Sequence, residues 1–257
     1  MSTLQSLALV WALAAVAQTG GWLWQRKRSN AGIVDVIWSF GVGGAAVLLA
    51  LLGTGAMWPR VLLAMLGGIW GARLGLHLWH RVRSEPEDGR YANLRLRWGQ
   101  DQRKWFAFFQ FQALLVTLFA IPFVAVARNP VEGFSVWLLA GIAIWIGSVV
   151  AEGIADAQLA RFRTDASNRG KTCRDGMWRY SRHPNYFGES VVWWGLYLVA
   201  AGVPGGWLTI VSPVLMTWLL LRVSGVTLLE QGLAASKPGY QEYVRRTSAF
   251  VPWPPRA

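Results

Sequence analysis

Apolar runs long enough to cross a hydrocarbon core, roughly 17–25 residues each, recur near Leu4–Trp24, Ile33–Leu52, Trp58–Trp79, Trp105–Ala127, Phe134–Ala151, Phe187–Val203 and Trp207–Leu228. The pattern predicts an all-α polytopic membrane protein of about seven transmembrane helices. The first run imitates a signal peptide, because Ala15-Val16-Ala17 looks like a cleavage site. No positive charge precedes it, however, and Arg26-Lys27-Arg28 follow it, which favours an uncleaved span with the N-terminus outside.

The connections between runs agree with that orientation. Arg81, Arg83, Arg90, Arg95, Arg97, Arg103 and Lys104 lie between the third and fourth runs. Arg161, Arg163, Arg169, Lys171, Arg174, Arg179 and Arg182 lie between the fifth and sixth, and the outer loops hold only Arg60 and Arg128. Basic loops mark the cytosolic side, so the C-terminal tail with Lys237, Arg245, Arg246 and Arg256 is expected there. No repeat or linker divides the chain, which predicts one domain over residues 1–257.

Composition narrows the classes. The 257 residues are 54% hydrophobic and 15% charged, with 17 Trp, against roughly 25% charged in an ordinary soluble domain. The net charge of +12 is accounted for by the cytosolic loops, so no nucleic-acid partner is expected. A single Cys173 excludes an internal disulfide and any multi-cysteine metal site, and no metal is expected. The expected surroundings are membrane lipid, with the chain acting as a monomer.

Against this background a few polar residues stand where lipid would penalise them. Asp35 lies near the start of the second run, and Trp70, Arg73 and His77 share a stripe of the third at i, i+3 and i+7. Each is expected to face the bundle interior, and an Asp35–Arg73 ion pair is the structural alternative to a functional role. Gly67, Gly71 and Gly75 repeat every fourth residue, a seam better explained by close helix packing than by a ligand.

The fifth run continues as an amphipathic helix with Glu152, Asp156, Leu159 and Arg163 on one face. Beyond it come Asn168-Arg169-Gly170-Lys171 and then Gly176-Met177-Trp178-Arg179-Tyr180-Ser181-Arg182-His183-Pro184-Asn185-Tyr186-Phe187-Gly188-Glu189. Clustered Arg and Lys beside a helix start opened by Pro184 suit phosphate. His183 is either a general acid or a helix-capping residue. Asn185, Tyr186 and Glu189 suit an amide, a ribose hydroxyl or a base edge, although Tyr186 also fits an interfacial anchor. In the tail, Glu230 precedes Lys237-Pro238-Gly239-Tyr240-Gln241-Glu242-Tyr243 and Phe250-Val251-Pro252-Trp253, where the two Tyr could cover a flat ring or dock the tail to the membrane.

The stretch Ser181 to Glu189 resembles the membrane steroid 5α-reductase family, in its bacterial branch of small seven-span members. The similarity runs over the whole chain and is strongest from Glu152 onward, where Asp156, Arg163, Asn185, Glu189, Tyr243 and Pro252 follow the family spacing. That half is also similar to sterol reductases and to isoprenylcysteine carboxyl methyltransferases, through Arg182-His183-Pro184-x-Tyr186.

The resemblance implies NADPH-dependent reduction of the carbon–carbon double bond of a 3-oxo-Δ4-steroid or similar lipophilic enone. It places the protein in a bacterial inner membrane with the cofactor site facing the cytoplasm. Residues 1–104 fall mainly on the substrate side and 105–257 mainly on the cofactor side. The implied cofactor contacts are Arg90 and Asn93 in the loop after the third run, Asp156, Arg163, Lys171, Tyr180, Arg182, His183, Asn185, Tyr186 and Glu189, then Arg222, Glu230, Tyr240 and Tyr243. Animal members carry a Gln-Glu pair and a Tyr as partners of the substrate carbonyl, where this chain has Val34-Asp35 and Trp70. Hydride attack on an enone pushes charge onto its oxygen, and Asp35, Trp70 and Tyr91 are the candidate donors. The alternative, an S-adenosylmethionine-dependent methyltransferase, would not need the phosphate-clamping arginines between Arg163 and Arg182. A non-catalytic membrane scaffold is the third reading.

Overall fold

A computed structural model describes residues 1–133, 135–223, 225–227, 229–230 and 239–256. Phe134 at the start of the expected fifth span, Leu228 at the end of the seventh, and Lys237 and Pro238 in the tail lie outside the described residues. The chain is an all-α polytopic membrane protein. Among the described residues, six helices are long and apolar enough to cross a membrane.

Among the described residues the helices include α1 (Thr3–Arg28), α2 (Ile33–Leu52), α3 (Met57–Ser84), α4 (Gly89–Trp98), α5 (Gln102–Phe119), α6 (Ile121–Ala127), α7 (Val136–Thr164), α8 (Pro184–Ala201), α9 (Val211–Trp218) and α10 (Tyr240–Arg246). These candidate spans are α1, α2, α3, α5 with α6, α7, and the stretch Gly206–Val223. The expected sixth span folds as α8, but Asn185, Glu189 and Ser190 crowd its first two turns, and it is not among the six. Pro122 explains the break in the expected fourth span: it has no N–H to donate to the previous turn, so α5 ends and α6 restarts with proline in its first turn.

Contacts group the chain into two compact units, residues 1–138 with 199–212, and residues 139–198 with 213–257. In the first, α1 shows how lipid inverts the usual pattern. Its exposed face carries Leu4, Trp11, Leu13, Val16 and Leu23, while its buried face is small or polar: Ser6, Val10, Ala14, Gln18, Gly21 and Gln25. Lipid tails are as apolar as Leu, so burying Leu gains little there, and packing and internal hydrogen bonds decide which face turns inward. Gln18 accordingly donates to the Val34 carbonyl at 3.3 Å, and Gln25 to Gln102 at 3.1 Å.

The glycine seam does what its spacing suggests. A Cβ on Gly71 would lie 2.6 Å from Gly43 Cα, and one on Gly67 would lie 2.3 Å from Ala46 Cβ, so α2 and α3 touch nearly backbone to backbone. This crossing holds the N-terminal end of α2, with Asp35, in a fixed relation to α3.

In the second unit, α7 runs unbroken for 29 residues, past its apolar stretch and through Glu152, Asp156 and Arg163. It meets α8 over two more glycines: a Cβ on Gly195 would lie 3.0 Å from the Gly141 carbonyl, and one on Gly188 would lie 3.0 Å from Glu152 Cβ. The connection between them is pinned to α7, since Gln158 accepts from the Met177 amide at 2.9 Å and Trp178 donates to the Ala155 carbonyl at 3.0 Å. Gly176, with φ 59°, adopts a left-handed conformation that favours glycine, and a Cβ there would lie 2.5 Å from the Gln158 amide, which would have to shift. A five-residue π turn, Leu219–Val223, follows α9.

Two candidate site constellations

The first constellation is built at the start of α2 and the start of α4. Asp88 caps α4, accepting from the Arg90 amide at 2.9 Å. The same carboxylate receives Arg90 Nε at 3.0 Å and an Arg81 guanidinium from α3. Arg90 then reaches Asp35 Oδ2 at 3.1 Å, and the Tyr91 hydroxyl donates to Asp35 Oδ1 at 2.7 Å. One residue earlier, Glu87 accepts from the Ala31 amide at 2.7 Å and holds Arg95 with both oxygens, at 2.9 and 2.7 Å. The loop before α2 and the N-terminus of α4 are thereby locked together.

Electrostatics follow from that arrangement. Burial alone would raise the Asp88 carboxyl, but Arg90 and Arg81 outweigh it and hold it down to about 2. Tyr91 moves the other way: burial, and then the charge of Asp35, push its phenol well above 10.0. It therefore stays a protonated donor across the physiological range.

Three sequence candidates, Asp35, Arg90 and Tyr91, thus come together. Trp70 is fully buried on α3 and packs edge-on against Trp38 at 5.8 Å, one turn along α2 from Asp35. Asn93 is exposed on α4, and His77, expected inside, is exposed on α3. His77 stands one turn from Arg81, close enough to the charged end of the helix for its ring to reach the interface. The sequence reading passed over Asp88 and Glu87. The Asp before Gly89 and the helical run is a helix-start signature that would have found the first.

The second constellation gathers around Glu230. Its two oxygens accept Arg182 Nε at 2.7 Å and Nη2 at 3.0 Å, and its Oε1 also lies 3.2 Å from His183 Nε2. Arg182 Nη1 donates to the carbonyls of Val244, at 3.0 Å, and Thr247, at the end of α10. The arginine is nearly buried and works as a clasp. Burial would raise Glu230, but hydrogen bonds from His183 and Arg182, and their charge, hold its carboxyl at about 2. The ring of His183 stacks on Tyr186 with centroids 5.7 Å apart, and a Cβ on Gly225, just past the π turn that carries Arg222, would lie 3.1 Å from that tyrosine.

Around this clasp, Tyr243 donates to the carbonyls of Trp178 and Ser181, while burial and then Glu230 push the Tyr240 phenol up to about 12. Asn185 donates to Asp156 at 3.0 Å, tying α8 to α7. Glu189, also buried, accepts from Trp193 at 3.1 Å. Arg163, Lys171, Tyr180 and Arg222 are exposed. The carbonyls that receive Arg182 left no mark in the sequence, because any residue type supplies them.

Comparison with known proteins places the chain in a family. Residues 21–247 match the family described as "Protein of unknown function (DUF1295)". The chain belongs to that family. An uncharacterized protein of the fission yeast Schizosaccharomyces pombe is 24% identical over 265 residues, covering 90% of this chain and 74% of that protein. No solved structure matches.

Proposed function

We propose that the protein is a membrane reductase that uses NADPH to saturate the carbon–carbon double bond of a lipophilic enone of the 3-oxo-Δ4-steroid type. The observation that carries this reading is the Tyr91–Asp35–Arg90 group, in which a buried phenol is aimed by a carboxylate that an arginine holds in place. The steroid 5α-reductase-like character of the family supports the same reading.

Reduction at the β-carbon of an enone leaves negative charge on the carbonyl oxygen, and a donor preorganised at that oxygen lowers the barrier. Tyr91 is that donor. In the structure its hydroxyl donates to Asp35; when the carbonyl oxygen enters, the phenol turns to it, and Asp35 keeps its bond to Arg90. The enolate then takes a proton from water at its α-carbon, which completes the addition of one hydride and one proton. A lipophilic substrate reaches such a site from the bilayer, while a dinucleotide approaches through the basic cytosolic loops.

Groups that would suit NADPH lie in the same unit as the second constellation. The exposed Arg163, Lys171 and Arg222 supply charge-assisted donors for phosphates, and the Asp156–Asn185 pair with Glu189 supplies groups for ribose and carboxamide. When bound, the cofactor supplies the hydride. Arg182 and Tyr243 already give their donors to this chain's own carbonyls and Glu230, and they act as positioning residues. The test is ligand-induced stabilisation of the detergent-purified protein, since a ligand that binds only the folded state raises the melting temperature. NADPH should raise it; a rise with S-adenosylmethionine and none with NADPH would point to a methyltransferase instead.

A further inference from the structure

The C-terminal tail folds back on the start of α8 and leaves a basic cavity that the reductase reading does not use. Ser181 and Ser248 form an isolated bridge, the Ser181 hydroxyl donates to the Phe250 carbonyl at 2.8 Å, and the Trp253 amide donates to the Tyr180 carbonyl at 3.0 Å. Further along, the Arg256 amide donates to the Arg246 carbonyl at 2.9 Å, which brings the end of the tail against the last turn of α10. The strap borders an open cavity of about 430 Å³ lined by Arg182, Arg246, Thr247, Ser248, Trp253 and Arg256, among others.

The charges around it are uneven. Arg182 is neutralised by Glu230 and forms wall only. Arg246 meets Glu242 no closer than 3.8 Å, and among the described residues Arg256 has no acidic partner. No acidic residue lines the cavity. Of the residues that line it, Trp253 is turned outward, 69% exposed. Exposed arginines beside an exposed Trp are the chemistry of the membrane interface, where aromatic rings sit at headgroup level and cations pair with anionic lipid.

We propose that this cavity holds the phosphate of an anionic membrane phospholipid, with Arg246 and Arg256 as its ligands and Trp253 lying against the glycerol backbone. Charge-assisted bonds from two guanidinium groups fix the phosphate. The exposed Trp253 distinguishes a lipid from free phosphate, which would leave that ring without a use.

The full-length protein, delipidated in neutral detergent, tests this through its melting midpoint with added phosphatidylglycerol, phosphatidylcholine or glycerol phosphate. Phosphatidylglycerol is expected to raise the midpoint above the other two, and the double variant Arg246→Gln with Arg256→Gln should lose that difference. A second double variant, Lys27→Gln with Arg28→Gln, removes the same charge from exposed positions on α1 and should keep it, which separates a site from the general attraction of a protein with net charge +12. Equal response to phosphatidylglycerol and phosphatidylcholine, or equal loss in both double variants, would overturn the proposal. So would an equal shift with glycerol phosphate, which would make the cavity a site for soluble phosphates. If the arginine variant proves less stable without lipid, native mass spectrometry of retained phosphatidylglycerol gives the same reading: bound to wild type, absent from the variant.

Discussion

In the proposed reaction two acceptors compete for the one proton of Tyr91, Asp35, which accepts it in the structure, and the substrate oxygen, and this makes its replacement informative. Tyr91→Phe deletes the donor and is expected to lower turnover about a hundredfold to a thousandfold, with a stability loss of only about 1 kcal/mol for one hydrogen bond. Wild-type turnover in that variant would move the role to Trp70. Asp35 acts through Tyr91, so Asp35→Asn, which keeps an acceptor for the phenol, should retain more activity than Asp35→Ala. Equal turnover in the two would remove Asp35 from the mechanism. Asp35 was legible in the sequence because a carboxylate within an apolar run needs a reason. Its partner Arg90 was not legible as such: it lies 55 positions away, and the capping of α4 by Asp88 helps to aim it.

At the scale of elements, the α2–α3 crossing and the Glu230 clasp give opposite kinds of test. Gly71→Ala would put a methyl 2.6 Å from Gly43 Cα and is expected to destabilise by about 1–3 kcal/mol through forced backbone separation. Gly44→Ala, on the same helix pair but with open space around it, should be neutral or slightly stabilising in thermal melts, because alanine favours the helix. A loss as large at Gly44 would contradict the seam. The clasp predicts a pH dependence. Glu230 is lowered in the folded protein from 4.5 to about 2, so the unfolded chain binds more protons between those values. Its contribution is complete above about 4.5 and is lost as pH falls toward 2. Melting midpoints over that window should fall, and Glu230→Gln should flatten the fall; an unchanged slope would mean the clasp contributes nothing. Helix positions were readable from apolar run length, and the seam from its four-residue repeat. Less readable were the break at Pro122, set by a single missing N–H inside an otherwise continuous run, and the clasp, which joins Arg182 to a carboxylate 48 positions away.

For the whole molecule, one composition serves two media. Apolar surface turned outward meets lipid, while the charges concentrate in the loops and around the two constellations. Under the proposed function, the surplus of Arg and Lys in those loops would favour a cofactor with an extra phosphate, so NADPH should bind more tightly than NADH in a direct titration; equal affinities would remove that preference. The central claim, that hydride passes from NADPH to the β-carbon of a lipophilic enone, is tested most directly with NADPH deuterated at its transferable position, a 3-oxo-Δ4-steroid, and the purified protein in lipid. The account predicts one NADPH oxidised per product, with the deuterium on the former β-carbon. Oxidation of NADPH without labelled product, or a product carrying a methyl group from S-adenosylmethionine, would contradict it.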